Sequence, residues 1–310
     1  MRFPPGLLAA FLALELSAVM DAEGGIRTNL AALRELPEGT GLAAGHPGDV
    51  GIAAAPGVLF ADDFESGPLG GGWDEVRNPE GEVLGWEDPG DPALGRRCLR
   101  VEARLDRNTG GGLTRWFEPG ARVFIRFHTR FASEGDYVHH FVTLRANRGL
   151  RGGDRWSGFG GAGVKPDGTE RFSTAIEPWG DSGRWPAPGR WNFYSYWYEM
   201  DASPDGRHWG NSFAVTEAPL IPRDRWIAVE FMLAHNTPGE ADGEQAFWID
   251  GKLQGHWKGI RWRKVPELRA NALTLETYVT DRWTRHPVNV VCFDNVVVAD
   301  RYIGPSVPSH

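Results

Sequence analysis

The feature that most constrains this chain is a period of two in its apolar residues. Val123, Ile125 and Phe127 alternate with Arg122, Phe124, Arg126, His128 and Arg130, and Val138, Val142 and Leu144 alternate with Tyr137, His139, Phe141, Thr143 and Arg145. Trp191, Phe193 and Trp197 alternate with Asn192, Tyr194, Tyr196 and Tyr198. Ile227, Val229, Phe231 and Leu233 alternate with Trp226, Ala228, Glu230 and Met232, and Leu273, Leu275 and Val279 with Thr274, Glu276, Tyr278 and Thr280. Successive side chains of an extended strand point to opposite faces, so the pattern predicts five strands, each buried on one face. A slip of one residue would exchange the faces, which specifies the register. If the strands share a sheet, their polar faces make one surface.

Further strands are expected at residues 99–105, 246–249 and 290–298, with Asp250-Gly251 as a hairpin turn. The 310 residues are 41% hydrophobic, enough for one large core, and 41 glycines, 22 prolines and 14 tryptophans suit short strands and tight turns. The expected fold is all-β, a two-sheet antiparallel sandwich spanning residues 57–305, with a tail at 306–310. Residues 21–56, rich in Ala, Gly and Pro, read as a linker. Residues 1–20 open on Arg2 and continue with an apolar stretch broken by Glu15 and Ser17, the pattern of a secretory signal peptide rather than a membrane span. Export from a bacterial cell and a monomeric protein are therefore expected.

A net charge of -8 and the lack of a Lys/Arg run exclude a general nucleic-acid binder. Two cysteines, Cys98 and Cys292, exclude a disulfide scaffold or a cysteine-rich zinc site, and both are expected as buried free thiols. The Gly-rich stretch 149–190 is too long for a plain connection and reads as a wall or lid over a site.

The polar faces are unusual for solvated strands. They carry Arg126, His128 and Arg130, then Tyr137, His139 and Arg145, then Tyr194, Tyr196 and Tyr198, then Glu230, and lastly Glu276 and Tyr278. A row of phenols offers flat apolar bodies with polar tips, the surface a sugar ring needs, although tyrosine is also simply a good strand former. Three cations on one strand call for neutralisation, either by Glu230 and Glu276 within the protein or by the carboxylate of a uronic acid. The partner expected on this face is an acidic polysaccharide or oligosaccharide.

The opening Asp62-Asp63-Phe64-Glu65, the closing Cys292-Phe293-Asp294-Asn295-Val296-Val297-Val298 and Tyr302-Ile303-Gly304-Pro305 resemble the first and last strands of concanavalin A-like lectin/glucanase domains. Within that superfamily the chain is most similar to the jelly-roll polysaccharide lyases of the alginate and glucuronan lyase type. The resemblance covers residues 58–305 and implies a jelly roll with a concave binding face. In such lyases an arginine strand, a Gln-x-His strand and a tyrosine strand follow one another. Here Arg126 to Arg130, Tyr137-Val138-His139-His140 and Tyr194 to Tyr198 match in that order, with no Gln before the His. The resemblance implies β-elimination of a uronate, with Arg130, His139 and Tyr196 catalytic. Arg126, His128, Tyr137, Arg145, Tyr194, Tyr198, Glu230, Glu276 and Tyr278 would line the flanks.

Elimination requires a cation on the carboxylate, a base for the C5 proton and an acid for the leaving O4, and it calls for no catalytic cofactor. Two other readings remain open. Glycoside hydrolysis would use Glu199 and Asp201, although position 203 is Ser where a third carboxylate is expected. A non-catalytic, lectin-like module would use the same aromatic face. The expected meeting of first and last strands also places Asp62, Asp63 and Asp294 together as ligands for a structural calcium ion. The adjacent His139 and His140 are not expected to form a transition-metal pair, because neighbouring strand residues point apart.

Overall fold

A computed structural model describes residues 19–20, 26–27, 36–215 and 218–308. Of the signal peptide expected at 1–20, residues 1–18 lie outside the described residues, as do 21–25 and 28–35 of the expected linker and the last two residues of the tail. The strands in chain order are β1 (Val19–Met20), β2 (Ile26–Arg27), β3 (Val58–Asp62), β4 (Glu75–Arg77), β5 (Leu84–Glu87), β6 (Cys98–Arg104), β7 (Gly110–Trp116), β8 (Arg122–Phe131) and β9 (Val142–Asn147). They continue with β10 (Phe172–Trp179), β11 (Arg190–Tyr196), β12 (Asn211–Ala214), β13 (Ile227–Ala234), β14 (Gly243–Ile249), β15 (Lys252–Ile260), β16 (Arg269–Tyr278) and β17 (Val288–Ala299).

Among the described residues these strands form two sheets. The first runs β1-β2-β12-β11-β10-β9-β16-β7-β4 and the second β15-β14-β13-β8-β17-β6-β5, with β3 added beside β17. The pairings are antiparallel except that of β2 with β12. The protein is thus the two-sheet jelly-roll sandwich expected. Val123, Ile125, Phe127, Val142, Phe231 and Leu275 are all fully buried between the sheets, where their alternation had placed them. Phe127, Phe131, Phe141, Trp191 and Phe293 form the aromatic centre of that core.

The five alternating strands divide between the sheets. β9, β11 and β16 belong to the first, β8 and β13 to the second. Their polar faces therefore do not make one surface, and Arg126, His128, Arg130 and Glu230 look away from those of Tyr194, Tyr196 and Tyr278. Alternation orients a strand locally, whereas its sheet is chosen by pairing with distant partners.

The outer face of β8 and β13 is covered by residues 36–56 and by the segment around Tyr302 and Ile303. Residues 36–56, read as a linker, instead pack on it: Ala43 and Ile52 join Phe124, Met232, Trp248, Tyr302 and Ile303 in a second, smaller core. Arg126 is 0% exposed and forms an ion pair with Asp49 at 2.7 Å. It also donates to the Asn295 carbonyl and to Ser306. Glu230, opposite Arg126 across the strands, accepts the backbone N–H groups of Ile303 and Gly304 at 2.8 and 2.7 Å. Burial pushes the Glu230 carboxyl up to about 8. Burial, then the Arg126 charge, holds the fully enclosed His128 well below an ordinary histidine. Arg130 is paired to Glu87 at 2.7 Å and lies over the Trp226 ring. The arginine strand is thus neutralised within the protein.

β3 and β17 are neighbours, with Asp62 opposite Val296, and the Asp62 and Asp63 carboxylates lie within electrostatic reach of Asp294. Asp62 accepts the Phe64 N–H and the Trp73 indole, and Asp63 accepts the Glu65 N–H, as turn-capping carboxylates do. Asp294 is fully buried, and burial raises its carboxyl to about 9. Among the described residues no three ligating side chains come together to hold a metal ion. Cys98 and Cys292 are buried free thiols.

Candidate functional site

The outer face of the first sheet holds a cavity of about 740 Å³. Its floor is built by the central strands. β11 presents Tyr194 and Tyr196 on one face two residues apart, and their hydroxyls stand 3.3 Å from each other. Next to it β10 presents Glu177, which lies opposite Asn192. β16 ends in Tyr278, which bridges through its backbone to His139. The walls come from the loops around 180–183, 203–209 and 280–283.

The segment before β9 departs from regular strand geometry. His140 has φ 43°, in the left-handed region that residues with a Cβ seldom adopt. This kink cancels the alternation, so His139 and His140 both line the cavity, and Phe141, expected outward, enters the core with no exposure. Strain of this kind gathers at functional sites.

The kink places the His140 ring 5.0 Å from that of Tyr278 and 6.1 Å from that of Tyr194. Its Nδ1 is 3.8 Å from Glu177 Oε2. Burial by itself would lower the His140 pKa, but Glu177 outweighs it, and the imidazole titrates above the ordinary histidine range. His139 goes the other way: burial lowers its pKa and Glu177 only partly offsets this. Two adjacent histidines thus hold opposite preferences, one for the imidazolium and one for the neutral ring. Tyr194 stays firmly protonated, first through burial and then through Tyr196. Arg171 lies within electrostatic reach of Tyr196.

Of the side chains expected in the site, the cavity brings together Tyr137, His139, Tyr194, Tyr196 and Tyr278. Tyr137 is part of the wall, its hydroxyl donating to the Trp185 carbonyl. Arg145 and Glu276 share the sheet's outer face but form an ion pair at 3.0 Å beside the cavity, with Arg145 stacked over Phe159. Tyr198 lies beyond the end of β11 under the Lys264 ammonium, outside the cavity. Arg126, His128, Arg130 and Glu230 are on the other sheet, so no arginine from β8 reaches the tyrosines. Glu199 and Asp201, considered for hydrolysis, also stand outside the cavity, Glu199 paired with Arg261.

Sequence reasoning missed Glu177 and His140. Glu177 was hidden because 149–190 was read as one loop, although Phe172, Thr174 and Ile176 alternate with Ser173, Ala175 and Glu177. That alternation is β10, the strand at the middle of the floor.

No protein-family model matches the chain, and no curated protein matches it. Among solved structures it is similar to alginate lyase vAL-1 from Chlorella virus, 17% identical with a TM-score of 0.57 over 79% of this chain and 100% of that one. It is also similar to the marine PL-14 alginate lyase from Aplysia kurodai, 12% identical with a TM-score of 0.56 over 78% of this chain and 99% of that one. A third is the endo-beta-1,4-glucuronan lyase from the fungus Trichoderma reesei, 15% identical with a TM-score of 0.50 over 78% and 95% of the two chains. The fold is therefore a two-sheet jelly roll similar to those of these polysaccharide lyases. At such identities the likeness is one of architecture, and chemistry rests on the cavity itself.

Proposed function

We propose that the protein is a polysaccharide lyase that cleaves a uronic acid-containing chain by β-elimination in this cavity. The observation that carries the reading is the hydroxyl pair of Tyr194 and Tyr196, 3.3 Å apart, facing the same space as a histidine held beside Glu177. That space offers a proton carrier and a cation, the two things elimination from a uronate requires. Fold likeness to alginate and glucuronan lyases supports the same class.

In this scheme the His140 imidazolium binds the uronate carboxylate and takes up charge as the C5–H bond breaks. The Tyr196 oxygen, a phenolate at the start of the step, accepts the C5 proton and becomes the phenol. The electron pair forms the C4–C5 double bond, the C4–O4 bond breaks, and Tyr196 returns the proton to O4. Tyr194, kept protonated by burial, donates to the Tyr196 oxygen throughout. His139, kept neutral, contributes polar lining rather than charge.

The apolar segment after Arg2 supports action outside the cytoplasm. Among the described residues no helix is long and apolar enough to cross a membrane.

The test is incubation with alginate, polyglucuronate and neutral glucans, reading the ultraviolet absorbance of the unsaturated product. The expected result is rising absorbance with at least one uronate polymer. New reducing ends without absorbance would replace elimination by hydrolysis. Retention on a uronate gel with no product at all would make the protein a binding module.

A further inference from the structure

Two tryptophans stand at the far ends of the cavity. Trp209 lies in the loop between β11 and β12, and Trp283, 39% exposed, lies in the loop after β16. β11 and β16 run in opposite directions, so these loops leave the sheet at opposite ends. Tyr196 is level with Arg145 through Ser173, whereas Tyr278 bridges to His139, six residues earlier on the Arg145 segment. At the rise of a strand this separates the two ends by up to roughly 20 Å, several sugar residues rather than one.

The Trp209 ring is held by its indole N–H, and the Trp283 backbone is set by its turn. The Trp209 indole donates to Asp205 at 2.8 Å, and Asp205 also accepts the Arg207 N–H. Trp283 is set by a turn onto the Thr280 carbonyl and by Thr284, whose hydroxyl donates to the Tyr137 carbonyl. Each carries a guanidinium: Arg207 is 5.7 Å from the Trp209 ring centre, and Arg282 is 4.9 Å from that of Trp283. Neither arginine forms an ion pair among the described residues, unlike Arg126, Arg130 and Arg145. At one end Trp283 and the cavity-lining Arg282 provide a stacking surface and a carboxylate partner together, and at the other Trp209 provides the stacking surface while Arg207, outside the cavity lining, offsets the charge of Asp205.

We propose that Arg207–Trp209 and Arg282–Trp283 are two uronate-binding subsites on either side of the tyrosine pair, so that an acidic chain lies across the cavity and is cut at internal bonds. The proposal rests on the lyase reading for the cleavage, and on these residues alone for the binding.

The experiment uses the full chain with polyglucuronate and alginate as probes. Affinity electrophoresis measures binding, and chromatography of early digests measures product size. Trp209→Ala and Trp283→Ala should each weaken retention by roughly tenfold, the scale of one good aromatic contact. Trp209→Phe and Trp283→Phe should restore much of it, with melting temperatures unchanged throughout. The Arg207→Gln, Arg282→Gln double variant should bind more weakly at low salt and respond less to added salt. Early digests by the unmodified protein should show a ladder of sizes.

Unchanged retention in both alanine variants would overturn the subsites, as would failure of the unmodified protein to bind either polymer. Early release of one small product alone would overturn the spanning mode. If the alanine variants lose retention but no polymer yields unsaturated product, the subsites stand and the lyase reading falls.

Discussion

The carboxylate of Glu177 lies 3.8 Å from Nδ1 of His140, an exposed-side histidine held in a left-handed backbone conformation at the rim of β9. The contact couples a half-buried anion on β10 to the cation of the site in the segment before β9. Glu276 reinforces it, Arg145 opposes it, and the Tyr194 and Tyr278 rings complete the surroundings together with His139.

Glu177→Gln is expected to move the alkaline limb of the pH–rate profile to lower pH. His140 acts as a cation, so activity falls as pH rises through its pKa, and removal of the neighbouring anion lowers that pKa. The same raised pKa stabilises the fold below the unfolded histidine value of about 6.5 and ceases to do so as pH rises through the folded value. That contribution is small, because the His140 side chain is 43% exposed. A profile identical to that of the unmodified protein would remove Glu177 from the mechanism.

Tyr196→Phe is expected to lower the rate by about 100- to 10,000-fold, the range of a lost proton carrier, while retention on a uronate gel persists. Tyr194→Phe removes only the supporting donor and should lower the rate less. Initial rates by product absorbance, with melting temperatures as the fold control, separate the two.

Asp49→Ala is expected to destabilise the protein by about 3–5 kcal/mol, because it strips the partner from a buried charge. Arg126 would remain enclosed under the covering segments, with Ser306 also losing its acceptor. Urea unfolding should show the loss. Arg130→Ala, on the same strand but paired at the surface with Glu87, should leave product formation unchanged.

Excess chelator is expected to leave the melting temperature where it is, since Asp62 and Asp63 spend their oxygens on turn N–H groups and the Trp73 indole. A fall on chelation, reversed by added calcium, would mean that the aspartates bind the ion after all.

Replacing Phe231 by Ala should cost about 3–5 kcal/mol, the scale of truncating a buried aromatic. Phe231 is fully enclosed between the sheets and packs against Phe193. Denaturant midpoints measure it.

The sequence by itself determined what is local. Period-two alternation set which side of β8, β9, β11, β13 and β16 is apolar, because successive side chains of any strand must diverge. It therefore located the core residues, the all-β class and the Tyr194–Tyr196 pair. The tertiary structure alone decided which polar faces meet. Pairing of β8 with β13 and β17, hundreds of atoms away along the chain, turned Arg126 and Glu230 to the back, where the covering segments bury them. The outward Phe124 and Met232 carried a trace of that cover, but no local rule says what lies above them. The left-handed turn at His140 is likewise held from outside, by backbone bonds between His139 and Tyr278 and from Glu276 to Phe141. A histidine adopts that strained conformation only where its surroundings enforce it, so the second cavity histidine and its contact with Glu177 emerge only once the sheet has closed.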